Sequence, residues 1–281
     1  MRKSTLLQLV VVAMIAFAGN SLLCRIALRE GHIDAASFSA LRLASGALML
    51  WLLVRRQEGG GAGHGSWISA FALFAYAAGF SFAYLSLPAA AGALLLFGAV
   101  QATMIGYGLW RGERLNLLQG GGLLLAAGGL IGLMLPGLSA PPLRGALLMI
   151  AAGIAWGVYS LRGRGVARAT ASTAGNFIRA LPFAAVLSLL TLQHAALSPA
   201  GIGYAVASGA LASGLGYAIW YSVLPALRAT SAATIQLSVP VITAVGGVLF
   251  LGEPLTLRLL LTSVAILAGI ALVITGKRTT G

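Results

Sequence analysis

Two arginines stand where a charge is hard to keep. Arg42 and Arg179 each lie inside a long apolar run, about eight residues or roughly 12 Å from its start at the helical rise. An embedded guanidinium is expensive in hydrocarbon, so it marks either a functional site or a structural tie to backbone carbonyls. Groups that could neutralise it are scarce. Asp and Glu number only five, Glu30, Asp34, Glu58, Glu113 and Glu253, and all map to loops or to ends of apolar runs. The expectation is that no buried acid faces either arginine, which leaves carbonyls, water or a substrate as partners. Proton relays and organic-cation sites in membranes usually rest on an embedded carboxylate, and none is expected here.

The other reactive side chains are equally sparse. His32, His64 and His194 fall in loops, and Cys24 is the only cysteine, so neither an intrachain disulfide nor a zinc cluster is expected. The serines have no His or Asp at membrane depth to activate them. Gly276-Lys277 is preceded by no phosphate-loop spacing. These patterns predict no catalytic residue, no metal and no cofactor. A membrane-embedded enzyme acting on lipid would need acid, base or metal groups that are missing.

What remains is the chemistry of binding. Asn20, Gln101 and Gln236 are amides within apolar runs, able to hydrogen-bond a zwitterion without a charge cost, or to glue helices together. Tyr76, Phe80 and Tyr84 stand at i, i+4 and i+8, on one face of a helix. Trp156 and Tyr159 share a face, as do Tyr217 and Tyr221 further on. Such faces either line a cavity, where rings take apolar bodies and hydroxyls take polar ends, or pack between helices. Pro240 interrupts an apolar run and frees a carbonyl, for gating or as a harmless kink.

The elements that position these residues follow from composition. The chain has 281 residues, of which 59% are hydrophobic and 8% charged, against about 25% charged in a soluble domain. Too few charges exist to cover a water-facing surface, so lipid must be the solvent for most of it. About ten segments are long and apolar enough to span: roughly 5–28, 34–54, 67–86, 89–110, 115–135, 144–163, 171–192, 199–220, 227–251 and 256–275. They lack the short alternating strands of a barrel, so they are predicted as helices. Arg2-Lys3 with the run from Leu6 imitates a signal peptide, but the segment has a counterpart later in the chain and is read as a retained span.

The net charge of +13 sits between the spans, where it reads as topogenic charge rather than as a nucleic-acid surface. With the N-terminus in the cytoplasm, Arg2, Lys3, Arg55, Arg56, Arg111, Arg114, Arg162, Arg164, Arg168, Arg228, Lys277 and Arg278 fall inside. Arg25, Arg29, Arg144 and Arg258 fall outside. That bias places both termini in the cytoplasm of a multi-pass inner (plasma) membrane protein.

The chain also repeats itself at a period near 140 residues. Gly112-Glu113-Arg114-Leu115 recurs as Gly252-Glu253-Pro254-Leu255, and Tyr84-Leu85-Ser86-Leu87-Pro88-Ala89 as Tyr221-Ser222-Val223-Leu224-Pro225-Ala226. Arg42 recurs as Arg179, and the Tyr76–Phe80–Tyr84 face maps onto Ser213, Tyr217 and Tyr221. Two halves result, 1–137 and 138–281, with five spans each. An odd number inverts the second half, a device that builds an inward and an outward gate around one midplane site.

The paired halves, Ala155-Trp156-Gly157, Arg42 and Arg179, Thr230-Ser231-Ala232-Ala233 and Leu251-Gly252-Glu253-Pro254-Leu255 together resemble the drug/metabolite transporter superfamily, EamA type. Phe17-Ala18 stands where Trp-Gly is usual, and Leu87-Pro88-Ala89-Ala90 replaces a polar entry to the fourth span. The resemblance implies an all-α bundle of ten helices in two inverted five-helix repeats. It implies a midplane site lined by spans one, three, four, six, eight and nine, and export of small metabolites. Amino acids, aromatic ones in particular, are the favoured cargo. A nucleoside or sugar derivative moved by a facilitator is the alternative. Small multidrug antiporters, distant relatives, use a glutamate in their first span, and its absence counts against that route. The expected substrate-binding residues are Asn20, Tyr76, Phe80, Gln101, Trp156, Tyr159, Tyr217 and Gln236, with Arg42, Arg179 and Pro240 structural or gating. The expected partners are membrane lipid and a small molecule. The chain is expected to be a monomer or a weak homodimer, since Gly120-Gly121-Gly122, Gly128, Gly129 and Gly132 suit close packing.

Overall fold

A computed structural model describes residues 2–58, 64–112, 114–137, 140–164, 166–227 and 229–275. Glu113, Arg228, Lys277, Arg278, the glycines at 59–61 and the side chains of Glu58, Thr230 and Ser231 lie outside the described residues. Among the described residues the fold is all-α, with ten helices long and apolar enough to cross a membrane. They are α1 (Lys3–Arg29), α2 (Ala35–Arg56), α3 (Trp67–Tyr84), α4 (Ala89–Trp110), α5 (Leu117–Met134), α6 (Leu143–Gly163), α7 (Ala169–Leu190), α8 (Pro199–Ala226), α9 (Ala232–Leu251) and α10 (Leu257–Thr275). The bundle leaves large apolar side chains bare, including Leu117, Leu190, Leu249 and Phe250. Water would not tolerate that surface and hydrocarbon favours it.

Helix packing follows a pattern. α5 packs on α10 and α2 on α7, while α3 and α4 both lie against α6, as α8 and α9 both lie against α1. This pairing is unchanged when helix i is exchanged for helix i+5. In α5 and α10 the backbones meet: a side chain on Gly122 would strike the Gly269 carbonyl, and one on Gly269 the Gly122 carbonyl. Gly122 and Gly129 are thus used within the chain, whereas a side chain on Gly120, Gly121 or Gly128 would meet nothing within 4 Å.

Two helices depart from regular geometry. α8 widens to a π-helix over Ala207–Leu215, and wide turns of this kind expose backbone and small side chains to a neighbour. Here Gly209 lies against the Arg42 carbonyl of α2, so close that an added Cβ would clash with that oxygen and with Ser45 Oγ. Gly209→Ala must push two backbones apart and is expected to destabilise by about 1–3 kcal/mol. Gly203→Ala in the same helix meets nothing within 4 Å and is the control. Thermal unfolding in detergent compares them, and equal melting of the two variants would refute the close approach.

α9 breaks at Leu237, with helix on both sides (Ala229–Gln236 and Ser238–Leu251). Pro240 is the cause. It has no N–H to give the carbonyl of Gln236, four residues earlier, and its ring crowds that carbonyl.

The connections are tied down at the end of the bundle away from both termini. The Asp34 carboxylate accepts from the N–H groups of Ala36 (3.0 Å) and Ser37 (2.9 Å) at the start of α2, and of Ala196 (3.1 Å) before α8. Burial opposes its charge, but the Ser37, Ala196 and Ala36 donors prevail and hold its carboxyl below the usual range. A lowered pKa gives stability that is present at neutral pH and lost as acid protonates the group. Asp34→Ala is expected to cost about 1 kcal/mol at pH 7, with the gap from the parent closing in strong acid. An unchanged melting temperature at pH 7 would sink this reading.

Candidate substrate cavity

A cavity of about 520 Å³ lies at the centre of the bundle. Its lining comes from α1, α3, α4, α6, α8 and α9. Asn20, Tyr76, Phe80, Gln101, Trp156, Tyr217 and Gln236 all line it, brought together from six helices. Phe17, Phe97, Met104 and Trp220 line it too, and the residue patterns did not single them out as binding residues. Phe17 carried a signal, since it occupies the place in the first half that Trp156 takes in the second.

Trp156 is the hub of the aromatic wall. Its ring centroid lies 4.8 Å from that of Tyr76, 5.3 Å from Tyr159 and 5.2 Å from Tyr217. Phe17 meets Tyr217 and Trp220 edge to face at 5.6 and 6.1 Å. Such contacts hold rings in place beyond simple burial.

Tyr159 does not line the cavity, contrary to expectation. Three residues past Trp156, it is turned about 60° around the helix. Its ring stacks on Trp156 from behind, and its hydroxyl accepts from Asn176 Nδ2 of α7 at 3.4 Å.

The two embedded arginines also part company. Arg42 is 2% exposed and sits behind the cavity wall. Its Nη2 donates to the Tyr76 hydroxyl at 2.9 Å and its Nε to Ser213 Oγ at 3.4 Å. The guanidinium carbon lies 5.0 Å from the Tyr76 ring centre and 4.9 Å from that of Phe80. Carbonyls were expected as protein partners, yet hydroxyls and ring faces hold it, because α3 and the wide turn of α8 present those groups. Arg179 is only half-buried and donates to the carbonyls of His64 (3.0 Å) and Gly175 (3.1 Å). It secures the segment before α3 and stays outside the cavity.

The hydroxyl of Tyr76 is the polar centre of the wall. It also receives Asn20 Nδ2 at 3.3 Å, while Asn20 Oδ1 accepts from Ser208 Oγ. Ser208 and Ser213 both belong to the π-helical stretch, which is how α8 reaches behind α1 and α3.

The cavity's two ends differ. Toward the end that carries both termini it runs past Ser160 and Gly163 of α6, Arg164 just after it, Leu224 of α8 and Leu227 just after that helix. A shallower hollow of about 630 Å³ shares Gly163, Arg164, Tyr221 and Leu224 there. The far end is closed by a polar knot. Arg25 Nε donates to Glu253 Oε1 at 2.9 Å, and its Nη1 to the Tyr84 carbonyl at 2.9 Å. Glu253 Oε2 accepts from the Ala89 N–H at 2.6 Å, and Arg29 Nη1 donates to the Leu251 carbonyl at 2.7 Å. The knot joins α1, α3, α4 and α9. Gly252, in the left-handed region at φ +61, turns the chain so that Glu253 points inward. Glu253 is therefore a buried acid (9% exposed), although one at a span end. The expectation that no acid is buried is corrected on this point. Among the described residues no carboxylate lines the cavity.

Ten membrane-length helices around a cavity closed at one end make the architecture of a multi-pass membrane transporter. Residues 143–275 match the EamA-like transporter family. An uncharacterized protein of Pseudomonas aeruginosa is 58% identical over 269 residues, 95% of this chain and 94% of that protein. The threonine/homoserine exporter RhtA is 36% identical in Salmonella typhimurium and 34% in Escherichia coli, over 132 residues. That stretch is 45% of this chain and 43% of the exporter. One crystal structure of a protein 18% identical to this chain superposes with a TM-score of 0.65, over 97% of this chain and 98% of its own, which speaks to the fold alone. The chain belongs to the EamA-like transporter family, within the drug/metabolite transporter superfamily.

Proposed function

We propose that this protein exports small amphipathic metabolites, amino acids foremost, by alternating access around the central cavity. The observation that carries this reading is the cavity itself. It is large enough for one small molecule, lined by rings and neutral amides, and shut at one end by a separable ion pair. The exporter RhtA, which shares a 132-residue stretch with this chain, supports amino acids as the class. The ring-rich lining favours side chains larger and less polar than those of threonine or homoserine.

The excess of Lys and Arg on one side supports the cytoplasm of the inner membrane as the location of the end with both termini. The cavity then faces inward, and the Arg25–Glu253 knot is the outer gate. The halves 1–137 and 138–281 act as inverted repeats that exchange roles between the two gates. Asn20, Gln101, Gln236 and the rings of Tyr76, Phe80, Trp156 and Tyr217 contact the cargo, and the carbonyl of Gln236 freed by Pro240 offers one more acceptor.

Counterflow in proteoliposomes loaded with a labelled amino-acid panel, with and without a pH gradient, tests the proposal. Exchange of one or more amino acids is expected, strongest among aromatic ones. Absence of exchange across the panel, from well-folded protein, would reject amino-acid transport.

A further inference from the structure

Among the described residues no acid pairs with the charge on Arg42. Among the described residues the acids that form ion pairs are Glu253, with Arg25, and Glu30, with His32. Nη1 of Arg42 is buried with no hydrogen-bond partner at all. A guanidinium kept in this state within a membrane bundle is strongly disfavoured unless something negative approaches it during the working cycle.

The wall between Arg42 and the cavity shows where that approach occurs. The Tyr76 hydroxyl accepts from Arg42 Nη2 and from Asn20 Nδ2, so both its lone pairs are engaged. A hydroxyl with two acceptor sites and one hydrogen must then donate that hydrogen elsewhere, and Tyr76 and Asn20 both border the cavity. Donation from a neighbouring cation polarises the O–H and strengthens it as a donor. The cavity therefore offers a phenolic O–H backed by a positive charge, with Arg164 toward the end that carries the termini and, among the described residues, no carboxylate to hold a cation.

We infer that the cargo is a carboxylate-bearing molecule, bound by its carboxylate to the Tyr76 hydroxyl with Arg42 as the buried counter-charge. Its apolar body lies among Phe17, Trp156 and Trp220. Its amino group, where it has one, meets only ring faces and neutral acceptors. The inference rests on the cavity being the transport site, as proposed above, and narrows the cargo to amphipathic carboxylates, of which amino acids are one kind. Tyr76 is then a specificity-determining residue, and Arg42 a positioning residue that acts through it.

Binding to detergent-solubilised protein, read by intrinsic tryptophan fluorescence, separates the groups. The probes are L-phenylalanine, 3-phenylpropionate, which lacks the amine, and L-phenylalaninamide, which lacks the carboxylate. Phenylpropionate is expected to bind within a few-fold of phenylalanine, and the amide about tenfold or more weaker, as for loss of a charge-assisted hydrogen bond. Tyr76→Phe keeps the ring and is expected to bind the amide and the acids alike, and to stay folded but melt below the parent, because it takes an acceptor from Arg42 and Asn20. Arg42→Gln is expected to do the same if it folds. The inference is overturned if the amide matches the acids in the parent protein, if neither acid binds, or if Tyr76→Phe still prefers the acids. Binding of both acids without amino-acid counterflow would support the carboxylate site and reject amino-acid export. Counterflow with an amide that binds equally would do the reverse.

Discussion

Glu253→Ala is expected to open the end of the bundle that is now shut. The substitution strands the Arg25 guanidinium, which is 12% exposed, leaving it among the described residues the carbonyls of Tyr84 and Leu85 as partners. It also leaves the Ala89 N–H at the start of α4 without its acceptor. Removing one member of a buried pair typically costs about 3–5 kcal/mol, enough to reverse a two-state preference of a few kcal/mol. The chain carries its own reporter. Cys24, the single cysteine, is fully buried and adjoins Arg25. A small membrane-impermeant maleimide should label it slowly in the parent and at least tenfold faster in Glu253→Ala. Exchanging the two charges should not restore closure. An arginine at 253 would put a cation against the N-terminus of α4, where the helix dipole favours an anion. Replacing both residues by apolar ones of similar size should restore it in part. Parent-like labelling of Cys24 in Glu253→Ala would mean that the pair does not hold the gate.

Trp156→Ala is expected to remove at least nine-tenths of exchange activity while leaving most of the protein folded. Trp156 is half-buried, so its truncation should fall below the about 3–5 kcal/mol lost when a fully buried Trp is cut back. The functional loss should be greater because Tyr76, Tyr159 and Tyr217 all rest on this one ring. Without it the tyrosines lose their shared support, and the cavity gains the volume of an indole. Trp156→Phe keeps a ring in contact and should retain a substantial part of the activity. Parent-like initial rates for Trp156→Ala in liposomes, at matched protein content, would remove the aromatic hub from the mechanism.

The spans were legible because length and apolarity alone decide them, and the helical state follows from hydrocarbon having no water to satisfy the backbone. The cavity residues were legible as faces: Tyr76 and Phe80 recur at four residues, and both line the wall. Tyr159 was misplaced because a three-residue spacing leaves a 60° turn, and only the neighbour decides whether a ring faces the cavity or lies behind it. The π-helical stretch of α8 carries no periodic signature. Its run of Ala, Ser and Gly fits any helix, and only the approach of α2 at Gly209 selects the wide turn. Arg42 and Arg179 look equivalent along the chain, yet their partners come from different elements, α3 and α8 in one case and the segment before α3 in the other. Glu253 looked like a loop acid because its burial depends on residues far away in the sequence.

That distance has a consequence for how the protein is made. Arg25 and Glu253 are 228 positions apart, so at ribosomal rates of about 5–20 residues per second the arginine waits roughly 10–45 s for its partner. During that interval eight spans, α2 to α9, enter the bilayer while the far end of α1 cannot be sealed. Co-translational assembly must therefore proceed on an unsealed intermediate. The connection before α10 acts as the closing stitch, and chains truncated ahead of it should be the ones that membrane quality control removes.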